Sequence, residues 1–399
     1  MLPTTLRDEA TGTLRHTMRD GVVQDWDCLE ALLHRTFYGR LGWEAGADEG
    51  AVLFSEQVLT PRRDRERLAA LCFERFGLAG MFVAEAPVLA LYSVGRSSGL
   101  VADVGHDGAS VAAVVDGAAV AAASRRVTSG GGGGGEPSTS SSSSSSSSSL
   151  SAPLGGLAAE RVLRARVAAR VGDERAGAIP EDALRAAKHA VCRVAASAAE
   201  AAGSRGGAAA AAAASAAAAG GTGAPSTAPS KHVLPDGTEL EVTASDGAAA
   251  GEALVSPQFF LPPSGGDGSG GASGGSRADG GRQRQHPSLA ELLSLALSSV
   301  PDANSRKLAS EGLLVCGGGS NAPGLGARIL AEGGGALPPS HPAPPPLLSV
   351  PDYVPASMAA SAAWAGGAIL ARVVFQQQQH VSRAEYDEFG PTVVHRKSA

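Results

Sequence analysis

Apolar residues in the first third of the chain recur with two different periods. In DWDCLEALLHRTFYGRLGW they fall at Trp26, Leu29, Leu33 and Phe37, which places one stripe along a helix. AVLFSE (51–56) is a short unbroken run and reads as a buried strand. TPRRDRERLAALCFERFG (60–77) returns to the helical period, with Thr60 at the N-cap, Pro61 at the first helical position and Gly77 as the stop. MFVAEA (81–86) predicts a second strand and PVLALYSVG (87–95) a short helix. LVADVG and ASVAAVVDG then predict a hairpin, joined by a turn of Asp, Gly, His, Asp and Gly. Strands alternating with helices imply an α/β core on a mixed sheet.

Beyond Val127 the pattern is interrupted by low-complexity tracts, which set the predicted organisation. Residues 1–20 form a poorly defined N-terminus and 21–127 a first lobe. A Gly/Ser linker at 128–156 contains Gly130–Gly135 and the serine run Ser140–Ser149. The second lobe covers 157–261: a mainly helical Ala/Arg stretch from Leu157 to Ala202, an Ala/Gly spacer at 203–230, and the island KHVLPDGTELEV. A further Gly/Ser linker, 262–285, precedes 286–336, and 347–399 closes the chain. The spacers lack the apolar content to offset ordering entropy and read as disordered surface insertions.

Composition narrows the function classes. The chain has 399 residues with 53 glycines, 4% aromatics and a net charge of −6, so it offers no basic field for direct contact with nucleic acid. Cys28, Cys72, Cys192 and Cys316 lie far apart without ligand spacing, which implies no metal centre and suits a reducing compartment. AAWAGGAILARVVF (362–375), the longest apolar run near the C-terminus, is interrupted by Gly and Arg372 and reads as too short to span a bilayer. The N-terminus carries no apolar h-region.

Two Gly-rich turns carry the candidate chemistry. Asp103, Gly105, His106, Asp107 and Gly108 form a hairpin turn whose backbone N–H groups can point at a phosphate, while an Asp can hold a metal-bound water. Gly317, Gly318, Gly319 and Ser320 follow the strand GLLVC and precede a helix, a geometry that admits close approach of a ligand. Read alone, the first is more simply an ordinary turn, and the second is equally explained by steric need for glycine. Trp26, Trp43 and Trp364 read as core, RRDRER (62–67) as a solvated helix face, and the terminal HRK as too short for an import signal.

Several stretches together resemble one family. GVVQDWDCLEALLHRTFYGRLGWEAG, the segment from Thr60 to Gly99, LLVCGGGSNAPGLGARI, WAGGAIL and YDEFGPTVVHRK are similar, in that order, to actin and the actin-related proteins. GWE, the turn His and VVFQQQQHVSRAEYDE point to the plant nuclear class seven within it. The resemblance implies an actin-like, ribonuclease H-like two-lobed ATPase fold, with 347–399 returning to the first lobe. It implies that Asp103–Gly108 is the second phosphate loop and Gly317–Ser320 the adenosine loop, with ATP and a divalent cation held weakly or not at all.

The same resemblance implies departures from the family. The first β-hairpin and its Gly-rich phosphate loop have no counterpart before Gly21. Ala322 stands where an aromatic stacks on adenosine, and Ala86 and Ser110 stand where hydrolytic members keep a Gln and a His. No catalytic residue is therefore expected. The resemblance implies a non-enzymatic structural subunit of a nuclear chromatin-remodelling complex, with cytoplasm as a second location. Its partners would be a helical segment of the remodeller ATPase and actin or another actin-related protein, with no direct nucleic acid and no membrane. The rival readings are a nucleotide-hydrolysing relative of the sugar kinases and a cytoskeletal filament former.

Overall fold

The computed structural model describes residues 5–7, 14–19, 21–44, 50–128, 149–151, 154–177, 179–197, 230–233, 239–256, 287–336, 345–351 and 355–397. Two short antiparallel pairs open the chain: β1 (Thr5–Arg7) with β2 (Leu14–His16), then β3 (Met18–Arg19) with β4 (Val22–Val23). Helix α1 (Trp26–His34) follows, its N-cap Asp25 accepting from Cys28 N–H at 2.9 Å. It continues as a widened π turn over Arg35–Arg40. The predicted stripe is buried at Leu29, Leu33 and Phe37, while Trp26 is half-buried under the Arg67 guanidinium, 4.6 Å from its ring centroid.

Strand β5 (Ala51–Glu56), α2 (Arg62–Ala70), β6 (Gly80–Glu85) and α3 (Ala86–Ser93) build the smaller sheet and its cover. Thr60 is not the cap of α2: Pro61 takes that place, and the Thr60 hydroxyl donates to Gln57 O at 2.7 Å. β5 and β6 run parallel from Ala51↔Gly80 to Glu56↔Glu85, and the late strand β15 (Val381–Ser382) adds antiparallel to β6, so the end of the chain returns to this sheet.

The larger sheet has the order β11-β10-β8-β7-β14, built from β7 (Gly99–Val104), β8 (Gly108–Val115), β10 (Arg125–Thr128), β11 (Ser149–Ser151) and β14 (Leu313–Cys316); β9 (Ala118–Ala119) pairs with β8 alone. The division between the two sheets thus falls between Ser93 and Gly99, inside the segment that the sequence assigns to one lobe. Against the larger sheet pack α4 (Gly156–Val171), α5 (Asp173–Gly177) and α6 (Glu181–Val191). β12 (Ser230–Val233) and β13 (Glu239–Val242) form a hairpin leading into α7 (Ala244–Glu252), and α8 (Leu289–Ser298), α9 (Ala303–Ala309) and α10 (Leu325–Ala336) complete the layer. Its core joins Leu100, Val111, Leu163, Leu184, Leu292 and Ile329. The predicted mainly helical Ala/Arg stretch forms three helices, divided at Gly172, whose φ is +91°, and again before Pro180.

Two corrections concern the helix α11 (Ala362–Gln376). With the preceding 3₁₀ turn it makes a helical run of 20 residues, Ser357–Gln376, whose most apolar 18-residue window has mean hydropathy 1.5, long and apolar enough by those measures alone to cross a bilayer; the sequence reading had it too short. Trp364 is not core but 58% exposed, beside exposed Ile369 and Val373. α11 packs on α3, where a Cβ on Gly366 would overlap the Leu89 carbonyl, so only glycine permits this crossing.

The C-terminal stretch works as a fastener. Ser382 and Glu385 form a capping box at α12 (Arg383–Phe389). Tyr386 stacks on Phe73, with centroids 4.6 Å apart, and donates to Glu74 at 2.6 Å. In α13 (Val394–Lys397), His395 lies 2.9 Å from Glu66, and Lys397 donates to His380 O at 2.9 Å and to Glu385. The RRDRER face is correspondingly less free than expected, since Arg65 forks onto Glu56 and Glu66 meets His395. The predicted disorder of the Gly/Ser/Ala tracts falls mainly on 129–148, 198–229 and 257–286, outside the described residues.

Candidate functional site

Parallel pairing of β14 with β7 sets Cys316 beside Asp103 and so brings the two Gly-rich turns together. Gly317, at φ +82°, lies so close that a Cβ there would overlap Asp103 Oδ1. A Cβ on Gly319 would come within 3.0 Å of Val104 O. The first turn closes on itself through Gly105 N–H to Gly108 O at 2.9 Å, and the second through the Ser320 backbone and hydroxyl to Gly317 O at 3.1 and 2.7 Å. Gly318 faces open space. All nine predicted site residues therefore sit in one neighbourhood.

Their electrostatics depend on residues that the motifs did not contain. Asp103 is half-buried, and desolvation pushes its carboxyl upward against a hydrogen bond from Gln57. Gln57 follows Glu56, and Glu56 sits directly across from Glu85 at the carboxyl ends of β5 and β6. Burial, then the neighbouring Glu56, raises Glu85 from 4.5 to about 7, while Arg65 opposes the shift. Ser110 lies across the hairpin from Asp103 and is 6% exposed; Ala86 is buried at the first position of α3.

The other side of the turn is built by α4 and α6. Gly155, at φ +111°, and Gly156 let the start of α4 dock edge-on: Gly156 N–H donates to Gly105 O at 2.9 Å and Leu157 N–H to His106 O at 2.7 Å. Lys188, from α6, is 8% exposed and donates to Glu160 at 2.7 Å and toward Gly156 O at 3.4 Å. His106 Nδ1 lies 3.7 Å from the same carboxylate, and Arg185 Nε 3.6 Å. Burial lowers the His106 pKa and Glu160 counteracts it. Leu154, Gly155 and Gly156 belong to this packed site and not to the linker in which the sequence reading placed them. The only sequence trace of the docking is the Gly-Gly pair at the mouth of a helix.

Ala322 packs on the large core and offers no ring for stacking. Among the described residues, no group of three or more His, Cys, Asp and Glu is arranged to hold a metal ion. Beyond the parts already named, the arrangement is two apposed Gly-rich turns with a half-buried carboxyl between them. That is the form of a phosphate clamp in which one carboxyl, one lysine and two helix amides already have partners in the chain.

The actin family model matches residues 4–399, so the match includes all but the first three residues of the poorly defined N-terminus. Actin-related protein 7 of Oryza sativa subsp. indica is 32% identical over 380 residues, 94% of this chain and 84% of the relative. Actin-related protein 7 of Arabidopsis thaliana is 30% identical over 395 residues, 99% of this chain and 87% of the relative. Actin-like protein 7B of Mus musculus is 37% identical over a shorter span of 112 residues, 28% of this chain and 26% of the relative.

Proposed function

From the premise that this chain belongs to the actin family and is an actin-related protein, we propose that it is a non-catalytic structural subunit of a nuclear chromatin-remodelling assembly of the SWI/SNF type. It would dock on a helical segment of the remodeller ATPase, beside actin or another actin-related protein. The observation that carries this reading is the loss of side chains able to orient a hydrolytic water. Ala86 opens α3 as a buried methyl group, and Ser110 is buried on β8. Phosphoryl transfer to water depends on such a group being present and aligned. By contrast, the chain's packing is closely fitted, from the Gly366 crossing of α11 on α3 to the C-terminal fastener.

ATP with a divalent cation is the group the fold implies, and it would supply phosphates for the two turns to hold. Isolation of the full chain from nuclei should return a remodeller ATPase and a second actin-family protein. A wholly cytoplasmic protein without a remodeller ATPase would overturn the reading. One observation favours hydrolysis instead: a carboxyl held near neutrality, as at Glu85, has the affinity that a general base needs. Phosphate release that is measurable in the wild type and lost in Glu85→Gln would select that alternative.

A further inference from the structure

We infer that Lys188, Glu160 and His106 form an internal latch that holds the phosphate-type turn on α4 and α6, so that the turn's order does not depend on a bound nucleotide. The inference goes beyond the proposed role and does not rest on it, because it concerns the isolated chain.

A helix N-terminus next to a Gly-rich turn serves as an anion site when its amides and a nearby cation are available to the anion. Here both are committed to the chain. The Gly156 and Leu157 amides at the start of α4 donate to the carbonyls of Gly105 and His106, the turn itself. The Lys188 ammonium, buried, is neutralised by Glu160 at 2.7 Å and reaches the Gly156 carbonyl. Glycine at 156 leaves it room: a Cβ there would stand 3.1 Å from Lys188 Nζ and 3.2 Å from His106 Cα, closer than an ordinary contact. Gly155 adds the same demand on the other side, where a Cβ would stand 3.0 Å from the Gly108 backbone.

The latch therefore has a defined mechanical path. Glu160 sits one turn into α4, Lys188 projects from α6, and His106 occupies the tip of the turn, all meeting at one carboxylate. Arg185, also from α6, approaches that carboxylate from its exposed side at 3.6 Å. A buried ion pair adds little net stability over an apolar pair of similar volume, but it fixes one geometry, because breaking it strands a charge. The demand it meets here is geometric: the turn between β7 and β8 has two glycines and would otherwise sample many conformations.

The test is amide hydrogen exchange over residues 103–110 and 154–163 of the full-length protein, with and without Mg·ATP. The wild-type turn should be protected without nucleotide and change less than twofold when it is added. Lys188→Met should raise exchange of the turn at least tenfold. Because that change strands Glu160, the double variant Lys188→Met/Glu160→Met is measured beside it; it should keep the global fold while its turn still exchanges at least tenfold faster, and Mg·ATP should not restore protection. The inference is overturned if the wild-type turn is labile until Mg·ATP is added, or if the double variant protects the turn as well as the wild type does. Gly156→Ser gives an independent reading, since it should loosen the same amides by displacing Lys188 while leaving every charge in place.

Discussion

Replacing Glu85 by Gln should make the protein more stable at pH 8 and leave it unchanged near pH 4.5. Glu85 lies at the end of β6 opposite Glu56, and the Arg65 fork is spent on Glu56. Burial first, and then the neighbouring carboxylate, raises Glu85 from 4.5 to about 7 in the folded protein. A folded pKa above the unfolded one means that the native state holds the proton more tightly. Stability then declines as pH rises from about 4.5, and the loss is complete once pH exceeds about 7. A shift from 4.5 to about 7 corresponds to a ceiling of about 3 kcal/mol at about 1.36 kcal/mol per unit, lower in practice because the side chain keeps some contact with water.

Glutamine preserves the shape and removes the charge, so the variant should recover most of that penalty above pH 7. For a chain of 399 residues, with an unfolding entropy of about 2.1 cal/mol/K per residue, each kcal/mol moves the midpoint by roughly 1 °C, so Tm should rise by roughly 2–3 °C at pH 8. Thermal melts of wild type and variant, run in matched buffers at pH 4.5, 6, 7 and 8, read the gap directly. The reasoning fails if the gap is the same at every pH, which would mean a packing effect, or if the variant is less stable at pH 8, which would mean that the carboxylate is favourably held.

Three further outcomes test the packing argument. Arg328 is 2% exposed and pairs with Glu252, which is fully buried, so Arg328→Met should cost about 3–5 kcal/mol in urea unfolding, whereas Arg328→Met/Glu252→Leu should recover most of it. Gly366→Ala must force α11 away from the Leu89 carbonyl, with a loss of about 1–3 kcal/mol read from the denaturation midpoint and faster exchange in α3. The Lys397 contact and the Ser382 cap hold Glu385 down at about 2, so its contribution is present above about 4.5 and is lost as pH falls through about 2; Lys397→Met should move its titration, followed by NMR, back toward 4.5.

Much of the smaller sheet was legible because each element carries its own punctuation. The Leu29–Leu33–Phe37 stripe and the turn at Gly77 are local signals that the fold obeys, and the AVLFSE run is a strand as expected, though a half-buried one rather than a buried one. The division between sheets was not legible. β7 and β8 follow α3 directly in sequence, yet β14, the second partner of β7, lies some two hundred residues on, and no local pattern announces a pairing at that range. Trp364 was misread for a related reason. Its neighbours are apolar on every side of α11, so periodicity does not say which face the two glycines turn toward α3.

The site shows the same limit more sharply. Glycines at 105, 108, 317 and 319 mark themselves, because close approach of two backbones excludes a Cβ and little else does. Glu160, Lys188, Gln57 and Glu85 carry no such mark: each is an ordinary polar residue on a helix, strand or loop, and each acquires its role only when topology buries it. What glycine spacing reveals is where the chain must come close; what the closeness is used for depends on charges arriving from elsewhere. In this molecule those charges reach the turn from α4 and α6 and pair with one another there. Gly155 and Gly156, not the glycines of the turn, admit the lysine and the helix end, and the turn is held there by its own chain.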